Sequence, residues 1–328
     1  MNIKKAYQYD KDGNFIRTWN TTTEAARFFG VDESSIRKAA KKERKSQGHY
    51  WSKYKFTNLF KPKSENLKFP KVLVFDIETA PLMAFVWRLK TRYVNPDMLE
   101  KSNWWVISWS AKWLFEDSVM SDVVTNEEAV NEDDSRVIHS IWNLINEADI
   151  VISHNGINFD HKLLNMRWLL HDMQPPAHYR VIDTYRSCRG LFDFPSYKLD
   201  FITKQLGIAS KMEHEGFNMW RKSLLGDTEA LANMSKYNDQ DVKSLEELYL
   251  AIRPWIRNHP NLGVFMESEV PVCRVCGSKN LRHMEGHDYT TNLSKYETLR
   301  CECGAINKRR SSKLPLEVRK VIVSGMPA

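Results

Sequence analysis

No stretch of this 328-residue sequence is apolar for long enough to span a bilayer, and none near its start reads as a secretory leader. The expectation is a soluble intracellular protein with no membrane partner. A disulfide framework is missing as well. The chain has five cysteines. Four fall in two close pairs near the C-terminus and Cys188 stands apart, which suits metal ligands and a buried thiol better than cross-links in a reducing compartment. What is present is globular. Hydrophobic residues make up 42% and aromatics 12%, and the length suits two or three domains, one with a sizeable core.

Charge is segregated. The net +7 divides into +9 over residues 1–64, −8 over 65–270 and +6 over 271–328. Basic flanks attract a polyanion by releasing its counterions. The acidic middle would repel one unless its carboxylates hold metal ions.

Ala6 to Tyr9 and Asn14 to Trp19 alternate in character around Asp10-Lys11-Asp12-Gly13, a hairpin signal. Thr21-Thr22-Thr23-Glu24 is a capping-box pattern, and Gly30 stops the helix it starts. Asp32 caps a second helix running from Glu33 to about Lys42. Helix, short turn, helix is a helix-turn-helix pattern. Its second helix offers Ser34, Ser35, Arg37, Lys38, Lys41 and Lys42 as nucleic-acid contacts. His49 to Ser52 reads as a closing strand, and residues 58–69 as a linker.

The middle is organised around Val72-Leu73-Val74-Phe75-Asp76-Ile77-Glu78-Thr79. The apolar run reads as a buried strand. Asp76 and Glu78, two apart, then share one face. Two adjacent carboxylates repel and resist desolvation unless a cation lies between them, and Mg²⁺ suits oxygen ligands of this kind. Taken alone, the pair also fits a solvated strand end.

Strands are expected at 106–113, 118–124, 149–153 and 181–183. Helices are expected at 136–146, after Asp160, at 198–206 and at 228–252, the last whole or broken near Tyr237. This order predicts an α/β mixed sheet flanked by helices. Asp160 sits where a buried strand hands over to a helix, where α/β proteins place ligands, although an N-cap role fits it too. Tyr237 and Asp241 are spaced i, i+4 and share a helix face. Asp239 points elsewhere and reads as an exposed acid. Cys273-x-x-Cys276-Gly and Cys301-x-Cys303-Gly form two knuckles able to hold Zn²⁺ in a closed, structural site. Lys308, Arg309, Arg310 and Lys313 make a basic tail.

Asp76-x-Glu78, Asn155 with Phe159-Asp160, and Tyr237-x-x-x-Asp241 together resemble the three motifs of the tyrosine-type DEDD 3′–5′ exonucleases. Residues 5–55 resemble the small helix-turn-helix repeat beside intron-encoded homing endonucleases, and the cysteine pairs resemble a zinc ribbon. The resemblance implies a ribonuclease H-like fold and a catalytic set of Asp76, Glu78, Asp160, Tyr237 and Asp241. It implies two Mg²⁺ or Mn²⁺ ions held by the four acids, one structural Zn²⁺ on Cys273, Cys276, Cys301 and Cys303, and strand contacts from Thr79, Asn155 and Phe159. The expected organisation is a DNA-binding module at 1–57, a linker at 58–69, an exonuclease domain at 70–262, a zinc ribbon at 270–312 and a basic tail at 313–328. The expected activity releases nucleoside 5′-monophosphates from a single-stranded 3′ end or duplex of DNA. By analogy it serves phage-type replication, repair or degradation in the host cytoplasm, alongside replication proteins. RNA as the substrate polymer, or a silent DNA-binding protein, are the alternatives.

Overall fold

The computed structural model describes residues 5–11, 15–42, 44–52, 69–208, 216–266 and 268–324. The expected turn at Asp12-Gly13 and the linker up to Lys68 lie outside them, as does the side chain of Lys42. The chain divides into two compact units, Met1–Leu67 and Lys68–Ala328.

In the first unit β1 (Ala6–Tyr9) pairs with β2 (Phe15–Trp19), and α1 (Thr22–Phe29) and α2 (Glu33–Lys42) follow. β3 (Lys45–Ser46) and β4 (His49–Ser52) complete a sheet of order β2-β1-β4-β3. Thr21 Oγ1 accepts the Glu24 N–H at 3.0 Å, and Gly30 closes α1 at φ 64°. The Glu24 carboxylate takes the Asn20 N–H rather than the Thr21 N–H expected of a full capping box. Asp32 caps α2 through the Ser34 N–H at 2.7 Å. Trp19, Trp51, Ile36 and Ala40 are buried between helices and sheet, and both indoles are satisfied, Trp19 on Gln8 and Trp51 on the Ser46 carbonyl. The two-residue strand β3 carries too little periodicity to be read from sequence.

The second unit begins with β5 (Val72–Thr79), the short pair β6 (Met83–Ala84) and β7 (Leu99–Lys101), then β8 (Val106–Trp113) and β9 (Met120–Val123). α3 (Asn126–Asn131), α4 (Ser135–Glu147), β10 (Ile150–Ser153), α5 (Asp160–Leu170) and β11 (Arg180–Asp183) follow. Then come α6 (Thr184–Leu191), α7 (Leu199–Gln205), α8 (Phe217–Leu224) and α9 (Thr228–Ile252). The sheet order is β11-β10-β5-β8-β9, with β10 and β11 parallel to β5 and β8 antiparallel to it. This is the expected α/β mixed sheet flanked by helices. α3, α6 and α8 were not expected. They are short, so packing rather than propensity sustains them, although Thr125-x-x-Glu128 before α3 forms a full capping box.

β5 and β8 explain how the layers divide. Leu73, Phe75 and Ile77 on one face meet the apolar side of α4 (Val137, Ile138, Ile141, Ile145) and α5 (Leu163, Leu164, Trp168). Each fully buried side chain of this kind stabilises the fold by about 1.5–3 kcal/mol. On β8 the same face carries Trp109, whose indole donates to the Val137 carbonyl at 2.9 Å. The opposite face of β8 is polar. Ser108, Ser110 and Lys112 lie across from Glu78, Asp76 and Val74. Ser110 donates to Asp239 at 2.6 Å, and buried Lys112 pairs with buried Glu246. Both acceptors are on α9, so these bonds fix that helix across the sheet. Asp239 is therefore an anchor and not the exposed acid expected. α9 is unbroken. It contains neither Gly nor Pro, Asp227 caps its start, and Pro254 lies just beyond its end.

The C-terminal segment belongs to this unit. β12 (Leu281–His283) precedes a two-strand hairpin of β13 (Tyr289–Thr290) and β14 (Lys295–Tyr296). β15 (Thr298–Cys301), β16 (Ile306–Lys308) and α10 (Leu316–Val321) complete the chain's elements. A sheet of order β12-β15-β16 carries the second cysteine knuckle. Arg274 ties the first knuckle to the chain beyond α9: its N–H groups reach the carbonyls of Ile256 at 3.2 Å and His259 at 3.4 Å. Among the described residues no helix is long and apolar enough to cross a membrane.

Candidate metal centre and nucleic-acid surfaces

Asp76 and Glu78 leave the α9-facing side of β5, and Asp241 comes down from α9 to meet them. One carboxylate oxygen from each lies within 4.8 Å of the others. An all-oxygen set of three acids suits Mg²⁺ or Mn²⁺. Ser108, across from Glu78 on β8, has a buried hydroxyl with no hydrogen-bond partner, and neither amide atom of Asn238, beside Tyr237 on α9, is paired. Sequence reading missed both, because serine in a strand and asparagine in a helix carry no signal of their own. Unpaired polar groups at this depth fit a centre whose remaining contacts are a hydrated ion and a phosphate. The donor set and its surroundings therefore fit the metals that the motifs imply.

Tyr237 lies one helical turn before Asp241. Burial, then the charges of Asp241 and Glu78, push its phenol far above the usual range. Its ring meets Trp220 edge-on at 6.2 Å.

Asp160 is not one of the close trio. It opens α5, and its carboxylate draws on its own backbone N–H and on that of Ile77, the residue between Asp76 and Glu78. Burial pushes it up to about 7, with the charge of Asp183 adding to the rise. The expected convergence of four acids is thus a trio, with the fourth bound to the peptide at their root. The loop that brings Asp160 there is tightly specified. Asp183 accepts the N–H groups of Asn155 at 3.1 Å and Ile157 at 3.2 Å. Asn155 adopts φ 65°, and a Cβ on Gly156 would lie 2.1 Å from Ser153 Oγ. The Asn155 side-chain oxygen accepts the Asn158 amide at 2.9 Å, so this expected strand contact is engaged in the turn.

Thr79 and Phe159 are brought together by a residue that sequence reading passed over. Trp104 donates to Thr79 Oγ1 at 3.3 Å, and its ring lies 5.7 Å from that of Phe159. Beyond Thr79 a cavity of about 480 Å³ is lined by Ala80, Pro81, Trp104, Phe217 and Trp220. It is mainly aromatic and apolar, and large enough for a nucleobase.

The cysteine cluster forms as expected. Sγ–Sγ distances are 3.8 Å for Cys273–Cys303 and 3.5 Å for Cys276–Cys301, and all four sulfurs lie within 4.8 Å of one another. A tetrahedral zinc at about 2.3 Å from each sulfur requires an edge of about 3.8 Å. No disulfide joins them. The Val275 N–H and the Asn307 amide point at Cys273 Sγ at 3.4 and 3.5 Å, as donors to a thiolate do. Cys273 is held down at about 4, chiefly by its hydrogen bond with Cys276, while Cys276 is pushed up. Cys188 is a buried thiol at about 11.

In the first unit Arg37, Lys38 and Lys41 project from α2 into solvent, while Ile36, Ala39 and Ala40 hold its other face. Ser35 is turned inward to Ser46 Oγ at 3.2 Å, and Ser34 is half-buried in the first turn.

Residues 110–253 match the family model of the RNase H superfamily. The second unit carries a ribonuclease H-like domain. The match spans Asp160, Tyr237 and Asp241 and begins within β8, after the strand that bears Asp76 and Glu78. Residues 4–40 match the NUMOD1 domain, so the first unit carries the helix-turn-helix module of intron-encoded nucleases, which accords with nucleic-acid binding. A search of curated proteins gives no match. Among solved structures, the family B DNA polymerase from the hyperthermophilic archaeon Pyrobaculum calidifontis is similar over 57% of this chain, at 17% identity and a TM-score of 0.42. The chain covers 25% of that polymerase. An acidic trio on a ribonuclease H-like fold supports metal-dependent nuclease chemistry in general.

Proposed function

We propose that the second unit is a 3′–5′ DNA exonuclease of the tyrosine-type DEDD class, held on its substrate by the basic helix α2. The observation that carries this is the meeting of Asp76, Glu78 and Asp241 at one point beside the buried phenol of Tyr237. Asp76, Glu78 and Asp241 would hold the divalent cations, with Asp160 supporting them from the strand's root. When bound, such cations stabilise the entering and leaving oxygens of an in-line displacement at phosphorus.

The protein's own groups supply the rest. A phenol ordinarily holds its proton up to about pH 10, so Tyr237 orients a water by hydrogen bonding and does not abstract its proton. Trp104, Phe217 and Trp220 give the terminal base a stacking slot beside Glu78. The cysteine module, with its zinc, buttresses the end of α9 and so the position of Asp241. The product is a nucleoside 5′-monophosphate, and the setting is phage-type DNA replication, repair or degradation in a host cytoplasm.

The test uses 3′- and 5′-labelled single- and double-stranded DNA and RNA with Mg²⁺, Mn²⁺ or EDTA. A 5′-labelled DNA strand should shorten stepwise, and Asp76→Ala should abolish this. Tyr237→Phe should slow it strongly but less completely. Endonucleolytic products, or parent-rate cleavage by Asp76→Ala, would overturn the assignment.

A further inference from the structure

Between Glu78 and Asp97 the chain has Arg88, Lys90 and Arg92 and no acid, inside a region that is otherwise net acidic. This stretch is an arm. Its root is closed by β6–β7 pairing, by the Ala80 N–H on the Trp105 carbonyl at 2.9 Å, and by the Phe85 N–H on the Met98 carbonyl at 2.9 Å. Ala80, Pro81 and Leu82 at the root line the apolar slot beside the metal trio. Beyond the root the chain alternates: Trp87, Arg88, Leu89, Lys90, Thr91, Arg92, Tyr93. Trp87 is 97% exposed, Leu89 98% and Tyr93 79%. Among the described residues neither Arg88 nor Lys90 has an ion-pair partner, and Arg92 lies 5.8 Å from the Tyr93 ring.

Contiguous exposed apolar side chains mark a binding surface. The cations between them say what binds. A second copy of the arm would bring three positive charges against three. A polyanion with flat π faces satisfies both kinds of side chain, since bases stack on the aromatics and phosphates meet the cations. We infer that the arm from Phe85 to Val94 grips single-stranded DNA leading to the metal trio. Its side chains include no carboxylate or amide to accept a 2′-hydroxyl, and the Thr91 hydroxyl is engaged with the Tyr93 carbonyl at 2.7 Å, so the arm gives RNA little advantage over DNA, the polymer of the proposed function. The direction of the strand rests on the nuclease reading. Binding to the arm does not.

The experiment is fluorescence anisotropy with full-length Asp76→Ala protein and a labelled thymidine oligomer, so that no strand is consumed. Adding Trp87→Ala should weaken binding about tenfold, within the range for one lost stacking platform. Adding Arg88→Ala, Lys90→Ala and Arg92→Ala should flatten the dependence of log affinity on log salt by about 2. Circular dichroism should show both variants folded, as side chains this exposed require. Parent-like affinity in the Trp87→Ala protein, an unchanged salt slope, tighter arm-dependent binding of a uridine oligomer, or a dimer that the substitutions dissolve would each overturn the inference. The nuclease reading is checked apart, by cleavage of the chromogenic p-nitrophenyl ester of thymidine 5′-monophosphate by unmutated protein. Failure there with arm-dependent binding intact sinks only the nuclease. Cleavage there with arm-independent binding sinks only the arm.

Discussion

Replacing Asp160 with Asn should make the protein more stable and less active. The carboxyl sits fully inside the fold, and burial raises it from 3.8 to about 7. A folded state that holds its proton more tightly than the unfolded state loses stability as pH rises through that window. The loss begins near pH 3.8 and is complete above about pH 7. Three units correspond to about 4 kcal/mol at 1.36 kcal/mol per unit. Asn keeps the acceptor for the Ile77 N–H and carries no charge, but its amide protons need partners. The net gain at pH 8, without added Mg²⁺ or Mn²⁺, should therefore be about 2–3 kcal/mol, or roughly 5–10 °C in melting temperature for a unit of this size. The gain should shrink to a small fraction of that near pH 4, where the folded parent is protonated and the unfolded chain is only partly ionised. Mg²⁺ should raise the parent's melting temperature more than the variant's, and DNA cleavage should fall steeply in the variant. Thermal melts at pH 4, 6 and 8 with zinc retained decide the matter. A variant that melts at or below the parent at pH 8, or a gain independent of pH, would refute the reasoning.

Asp134→Ala should be among the most damaging single changes away from the site. Asp134 is fully buried, takes two bonds from Arg167 and one from the Val106 N–H at 2.9 Å, and its loss strands a buried guanidinium, at about 3–5 kcal/mol by urea denaturation. Cys301→Ser should remove zinc, read as about one equivalent in the parent and little in the variant by metal analysis, and should lower melting temperature and activity together through the end of α9. His259 donates from Nδ1 to the Pro260 carbonyl at 2.7 Å, and its Nε2 is hydrogen-bonded to the Tyr249 hydroxyl at 2.8 Å. Burial lowers it to about 4. The unfolded chain, with an ordinary value near 6.5, binds the proton first, so stability is full above pH 6.5 and falls as pH drops towards 4. His259→Gln should flatten that part of the stability–pH curve.

Much of the architecture is legible in the residues. The strand over 72–79 is set by a run of large apolar side chains, and the segment over 106–113 reads as a strand as well. Helix ends follow from Thr21, Asp227 and Gly30, whose capping chemistry is local. Two cysteine knuckles at short spacing demand a closed site whatever surrounds them. Local chemistry of this kind needs only neighbours in the chain, which is why it can be read in order.

What the order of residues could not decide is which distant groups meet. Asp241 reaches Asp76 and Glu78 because Lys112–Glu246 and Ser110–Asp239 lock α9 across the sheet, and those pairs join residues more than a hundred positions apart. Asp160 stays outside the close trio, with the Ile77 N–H, between Asp76 and Glu78, supporting its carboxylate. Trp104 and Trp220 become walls of one cavity only when the arm's root and α8 close on Thr79. A sequence states each side chain's chemistry and its local backbone preference. The partner that discharges a buried charge or fills an apolar slot is chosen by packing, and packing is a property of the folded chain.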